Sequence, residues 1–171
     1  MKKIAVFGKP GGGKSTLSKK LAAATGIELY HLDLIEYHKN GERVPRTEYA
    51  LAHEKLINSE KWIIDGFGSL DSFWRRLDAA DTIVYIDLPY WVHYWWVTKR
   101  FIKAVIVKPE GWPDGSSVLK GTIAGWKYLR LSPKFWTPEL FRQLQKSSKN
   151  KSLYRINSIS ELNSFVTKHT K

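Results

Sequence analysis

Gly8-Lys9-Pro10-Gly11-Gly12-Gly13-Lys14-Ser15 fits G-x-x-x-x-G-K-[ST], the P-loop or Walker A spacing. The residue types explain the chemistry. Glycines let the backbone curl until successive N–H groups point inward at a phosphate chain. The helix that follows adds the positive end of its dipole. On this reading Gly8, Pro10, Gly11, Gly12 and Gly13 build the cradle. Lys14 reaches the β- and γ-phosphates, and Ser15 offers its hydroxyl to Mg²⁺.

Such a loop needs a strand before it and a helix after it. Lys3-Ile4-Ala5-Val6-Phe7 is an apolar run of strand formers that ends at Gly8. Leu17, Leu21 and Ala24 recur at helical spacing after the loop, and Gly26 reads as a helix stop. Further strands are expected at 27–31, 61–65, 82–87 and 152–156. Helices are expected at 14–25, 46–59, 70–79, 90–106, 116–131, 137–148 and 159–168. Strands alternating with helices imply an α/β fold with a parallel sheet and helices on both faces. The Pro- and Gly-rich stretch 107–116 reads as an exposed, mobile loop.

In parallel α/β sheets, ligands bind beyond the C-terminal strand ends. That rule gathers the P-loop, Asp33, Asp65-Gly66, Asp87-Pro89 and Asn157-Ser158 on one edge. An acid at the end of a P-loop sheet strand commonly faces magnesium, which points to Asp65. A carboxylate near an acceptor hydroxyl can orient it and take its proton, and Asp33 is the candidate.

The bulk composition narrows the classes. A chain of 171 residues with 43% hydrophobic content suits one domain with a core. Without cysteine there are no disulfides, thiolate metal sites or cysteine nucleophiles. The histidines show no metal-ligand spacing, and His31 reads as structural. No apolar run is long enough to span a bilayer and the N-terminus is a strand, so a cytoplasmic protein is expected. The net charge of +12 fits a nucleotide enzyme with a lysine-rich surface better than a nucleic-acid binder, whose cations should cluster more.

Trp62-Ile63-Ile64-Asp65-Gly66-Phe67, followed by Ala80-Asp81-Thr82-Ile83-Val84-Tyr85-Ile86-Asp87-Leu88-Pro89, resembles the adenylate kinase superfamily. Closer still, Lys3–Leu21, Leu29–Asp33, Pro45-Arg46, Lys61–Gly66 and Arg76–Asp87 resemble bacterial topology modulation (FlaR-like) proteins, which are adenylate-kinase-related. The resemblance covers the first half of the chain. It implies strand order 2-3-1-4-5 and a cradle of Gly11, Gly13, Lys14, Ser15 and Thr16. It also implies that Asp65 orients Mg²⁺-bound water, Asp33 and Arg46 contact the acceptor, and Arg100 covers ATP from a lid. Nucleoside monophosphate kinases follow Asp-Gly-Phe with Pro-Arg, whereas Gly68-Ser69 stand here; Arg75 or Arg76 would have to substitute. Arg76 is equally readable as a surface partner of Asp78 or Asp81.

The expectation is one P-loop kinase-like domain over 1–171, with 90–131 as a helical lid insertion. It would bind Mg·ATP and transfer the γ-phosphoryl to a small acceptor. A nucleoside or nucleotide leads by resemblance, and a non-nucleotide metabolite is an alternative. A regulator of DNA topology that contacts nucleic acid through its basic surface is another. The cluster Trp91, Tyr94, Trp95 and Trp96 admits a base-stacking or membrane reading, but a helix packing its aromatic face on the sheet is preferred. No feature of the sequence sets an oligomeric state.

Overall fold

The computed structural model describes residues 1–38, 42–104 and 118–170. Five parallel strands form one sheet in the order β2-β3-β1-β4-β5. They are β1 (Lys3–Gly8), β2 (Leu29–His31), β3 (Trp62–Asp65), β4 (Thr82–Ile86) and β5 (Ser152–Ile156). The three central strands are apolar on both faces, as a sheet covered twice requires. Side chains alternate in period two. Ala5 and Phe7 join one core with Ile64 and Tyr85, and Ile4 and Val6 join the other with Ile63 and Val84.

Eight helices occur among the described residues: α1 (Lys14–Thr25), α2 (Leu32–Glu36), α3 (Arg46–Ile57), α4 (Leu70–Ala79), α5 (Tyr90–Ala104), α6 (Val118–Leu131), α7 (Pro138–Ser147) and α8 (Ile159–His169). Leu56, Phe73, Leu77, Leu140 and Leu144 bring α3, α4 and α7 onto the first face. Leu17, Leu21, Val92, Leu162 and Phe165 bring α1, α5 and α8 onto the second. Gly26 ends α1 at φ 68°, with its N–H donating to the Ala22 carbonyl. Side-chain caps start the later helices: Thr137 on α7 and Ser158 on α8.

The short α2 and a 3₁₀ turn at Ser132–Lys134 have no counterpart in the sequence reading. The loop expected at 107–116, and the middle of the 90–131 insertion, lie outside the described residues. No described helix is long and apolar enough to cross a membrane.

The aromatic face of α5 is a correction. Trp91 is 67% exposed and Trp95 56%, while Val92, His93 and Val97 are buried. The cause is the closeness of the P-loop. A Cβ on Gly11 would lie 2.7 Å from both the His93 carbonyl oxygen and Val97 Cγ2. The α5 face that carries His93 and Val97 is the one turned to the loop, so Trp91 and Trp95, on the other side of the helix, turn outward. Trp96, half-buried, is the ring that meets Gly13.

Candidate active site

The P-loop joins β1 to α1 with Gly11 at φ 68° and Gly13 at φ 77°, left-handed values that suit glycine. Gly13 is the N-cap of α1, yet no side chain caps that helix and no acid stands in its first turn. Its leading N–H groups are thus left for an anion. Ser15 and Thr16 are exposed at that end. Lys14 is half-buried and donates from Nζ to the Lys9 carbonyl at 3.1 Å, across the loop it belongs to.

Three side chains from other elements act on Lys14. Burial lowers its pKa; Asp65 and Asp33 oppose that, and Arg100 adds to it. Asp65 closes β3 and is 4% exposed. Its Oδ2 faces His31 Nδ1 at 3.1 Å, from the register partner on β2, and its buried Oδ1 has no protein partner. Asp33, on the first turn of α2, is exposed to water yet surrounded by protein, the signature of a cleft wall. Burial raises its pKa, against the pull of Lys14; Asp65 raises it further, and His31 and Arg100 lower it. Arg100 projects from α5 toward Asp33 and Asp65. Burial lowers its pKa and the two acids raise it. One cleft therefore holds two cations and two carboxylates from α1, α2, β3 and α5.

Among solved structures, shikimate kinase from Acinetobacter baumannii in complex with shikimate superposes with a TM-score of 0.58 at 16% identity, over 98% of this chain and 94% of that one. The chain has the fold of the P-loop kinases. A sugar kinase from Janibacter sp. aligns more loosely, with a TM-score of 0.48 at 14% identity, over 96% and 91% of the two chains. No family model matches the chain, and no curated protein matches it in sequence.

Within this P-loop kinase fold, the residues read from the sequence divide. Gly8 to Thr16, Asp33, Asp65 and Arg100 share one edge of the sheet. Arg46 opens α3, is exposed, and is not among the principal charges acting on Lys14 or Asp33. Arg76 is not a surface residue. It is fully buried, and one Nη donates to the carbonyls of Gly66 and Phe67 at 3.0 and 3.1 Å. Its Nε and other Nη have no protein partner, and burial lowers its pKa to about 10. Ser69, which stands in the Pro-Arg position of the resemblance, closes a capping box with Ser72 at the start of α4.

Two supporting sets escaped the sequence reading. Lys9 occupies a variable position of the motif, yet it is 2% exposed and paired with Asp87 at the end of β4. Arg155 of β5 grips the other Asp87 oxygen through Nε at 3.0 Å and Nη at 2.6 Å. Burial alone would raise the Asp87 carboxyl, but Lys9 and Arg155 outweigh it and hold its pKa low. The Lys9 ammonium also lies 4.8 Å from the centre of the Tyr90 ring. This group ties the loop to two strand ends. Lys9→Met would leave Asp87 Oδ1 without its partner while Arg155 keeps the other oxygen, so a loss of about 1–3 kcal/mol is expected in denaturant unfolding. A loss below about 1 kcal/mol would deny that tie.

The second set is His93, whose Nδ1–H donates to the Pro10 carbonyl at 2.8 Å and pins α5 to the loop. Burial lowers its pKa to about 4, as it does for His53 on α3. Both are neutral when folded at pH 6, whereas the unfolded chain takes up protons there. Stability should therefore fall as pH drops from 6.5 toward 4, most steeply near pH 5, where each histidine contributes about 1.4 kcal/mol per pH unit at most. His93→Gln should flatten the slope between pH 6.5 and 5, measured by urea unfolding. An unchanged slope would mean that His93 does not carry it.

Proposed function

We propose that the protein is an Mg·ATP-dependent phosphotransferase that moves the γ-phosphoryl to a hydroxyl of a small acceptor. The observation that carries this is the convergence of Lys14, Asp33, Asp65 and Arg100 at the mouth of an uncapped P-loop helix. Phosphoryl transfer asks little covalent chemistry of a protein; it needs positioning and charge. A P-loop with no acid in the first turn of its helix supplies an anion seat. Lys14 would leave the Lys9 carbonyl for phosphate oxygens. Arg100 would meet the same charge from α5, with α5 and α6 as the covering segment.

The residues fit a magnesium ion. Mg²⁺ keeps several waters and takes few protein ligands. The buried, unpartnered Asp65 Oδ1 and the exposed Ser15 hydroxyl are donors of that kind. When bound, the ion would supply charge neutralisation between the phosphates. Asp33 would accept the acceptor's hydroxyl proton as the new O–P bond forms and the bond from Pγ to the β-phosphate oxygen breaks. A carboxyl with a raised pKa suits that task, because a base works best when its pKa nears the working pH.

On the acceptor, the arginines are informative. Ser69 is spent on a helix cap, Arg46 faces water, and Arg76 is held by backbone carbonyls. Arg75 is paired with Glu54, Arg46 is not among the charges acting on the cleft, and the two unpartnered nitrogens of Arg76 are themselves buried, so none of the three presents a whole free guanidinium to an acceptor phosphate. This favours a hydroxylated, non-nucleotide metabolite over the nucleoside monophosphate that the sequence resemblance suggests. The shikimate bound to the A. baumannii enzyme is an acceptor of that general kind. A regulator of DNA topology retains only the basic charge of +12 and the matched sequence stretches in its support.

The test is ADP release from Mg·ATP against nucleosides, nucleotides and small hydroxylated metabolites, with Lys14→Ala as the blank. Roughly tenfold stimulation by one acceptor, dependent on Lys14, is expected. ATP binding without stimulation by any acceptor would sink the kinase reading and leave the regulatory one.

A further inference from the structure

α5 presents two opposite faces. Trp91, Trp95 and Ile102 recur at i, i+4 and i+11, so they fall within about 40° of one another on the helix. All three are exposed. Arg100, roughly half a turn away, points at the cleft. α6, which packs on α5 where Gly125 meets Val97, repeats the pattern with exposed Leu119, Ile123 and Trp126 at i, i+4 and i+7. Soluble helices normally turn their polar face to water, and here large apolar side chains share the exposed face.

The charge around the stripes is one-sided. Neither helix contains an Asp or Glu. Exposed Lys99 and Lys103 flank the α5 stripe, and exposed Lys127 and Arg130 accompany that of α6. Between Asp87 and Glu139 the chain carries eight Lys and Arg against two acids, which supplies half of its net charge of +12.

We infer that the outer face of α5 and α6 docks on an anionic membrane surface. Indole rings seek the boundary between headgroups and acyl chains, aliphatic side chains enter it, and lysines bind the acidic headgroups. The charge decides among occupants. A second copy would set two cationic helix pairs against each other. A single-stranded nucleic acid would meet the cations and stack on the indoles, but Ile102, Leu119 and Ile123 offer it no ring. An anionic bilayer accepts all three kinds of side chain.

The test is flotation of the whole chain with vesicles of phosphatidylcholine, alone or with about 30% phosphatidylserine. Binding to the anionic vesicles should be roughly tenfold stronger, and should weaken sharply between about 0.1 and 0.5 M salt. Trp91→Ser/Trp95→Ser should cut it by about tenfold, with unfolding and ATP binding unchanged, because both rings are exposed and far from the P-loop side of α5. Brominated lipid should quench indole emission in the parent chain and less in that variant. Four results would overturn the inference. One is no flotation. Another is flotation that the double substitution leaves unchanged. A third is binding of a single-stranded oligonucleotide, but not of vesicles, that depends on the two indoles. The last is a dimer that the substitutions dissolve, with no vesicle binding.

Discussion

Lys14→Ala is expected to cut acceptor-dependent ADP formation by roughly 10²–10³-fold or more, the scale on which a single preorganised charge-stabilising group acts. The reason is placement. Lys14 lies within electrostatic reach of the carboxylates of Asp65 and Asp33 and of Arg100, in partly desolvated ground. Charge there interacts more strongly than in water. The amide cradle survives the substitution, because Gly11 and Gly13 keep their backbone angles and the α1 N-terminus stays uncapped. Displacement of a fluorescent ATP analogue should therefore show weakened but measurable binding at high nucleotide concentration. Turnover within about threefold of the parent would remove Lys14 from the chemistry.

Asp33→Asn tests a different step. The amide keeps the size of the carboxylate but cannot take a proton, so kcat should fall by about 10²–10⁴-fold while ATP affinity changes little. The pH dependence gives a second readout. Burial raises the Asp33 pKa, so its base form is lost at a higher pH than an ordinary aspartate would show. The parent's kcat should decline as pH falls through that raised value, because the proton then occupies the oxygen that must receive one. The residual activity of Asp33→Asn should lack that acidic limb. A variant whose KM for the acceptor rises while kcat holds would assign Asp33 to acceptor binding alone.

The sheet was legible because its signals are local. Five apolar runs of strand length, separated by helical periodicity, define a parallel sheet, and the P-loop orders its first strand and helix. The Asp65 and Asp33 positions followed from one rule about strand ends. What stayed hidden depends on contacts across the chain. Lys9 sits at a position where the motif allows any residue, and only the fold brings Asp87 and Arg155 to it. Arg76 read equally well as a surface ion-pair partner, because α4 spacing does not reveal that its side chain runs back under Gly66. Trp91 and Trp95 look like core residues by type. Their exposure follows from a loop some eighty positions away, against which α5 sets His93 and Val97, so that Trp91 and Trp95 fall on the other side of the helix.

The length of β2 has a dynamic consequence. With three residues at the sheet edge, bonded to β3 alone, it is held by far fewer backbone hydrogen bonds than β1, which is paired on both sides. His31 ends this strand and Asp33 follows it. Local opening starts where such bonds are few. Amide protons of β2 should then exchange with solvent well before those of β1. The half of the cleft that would greet the acceptor should breathe more than the half that would hold the phosphates.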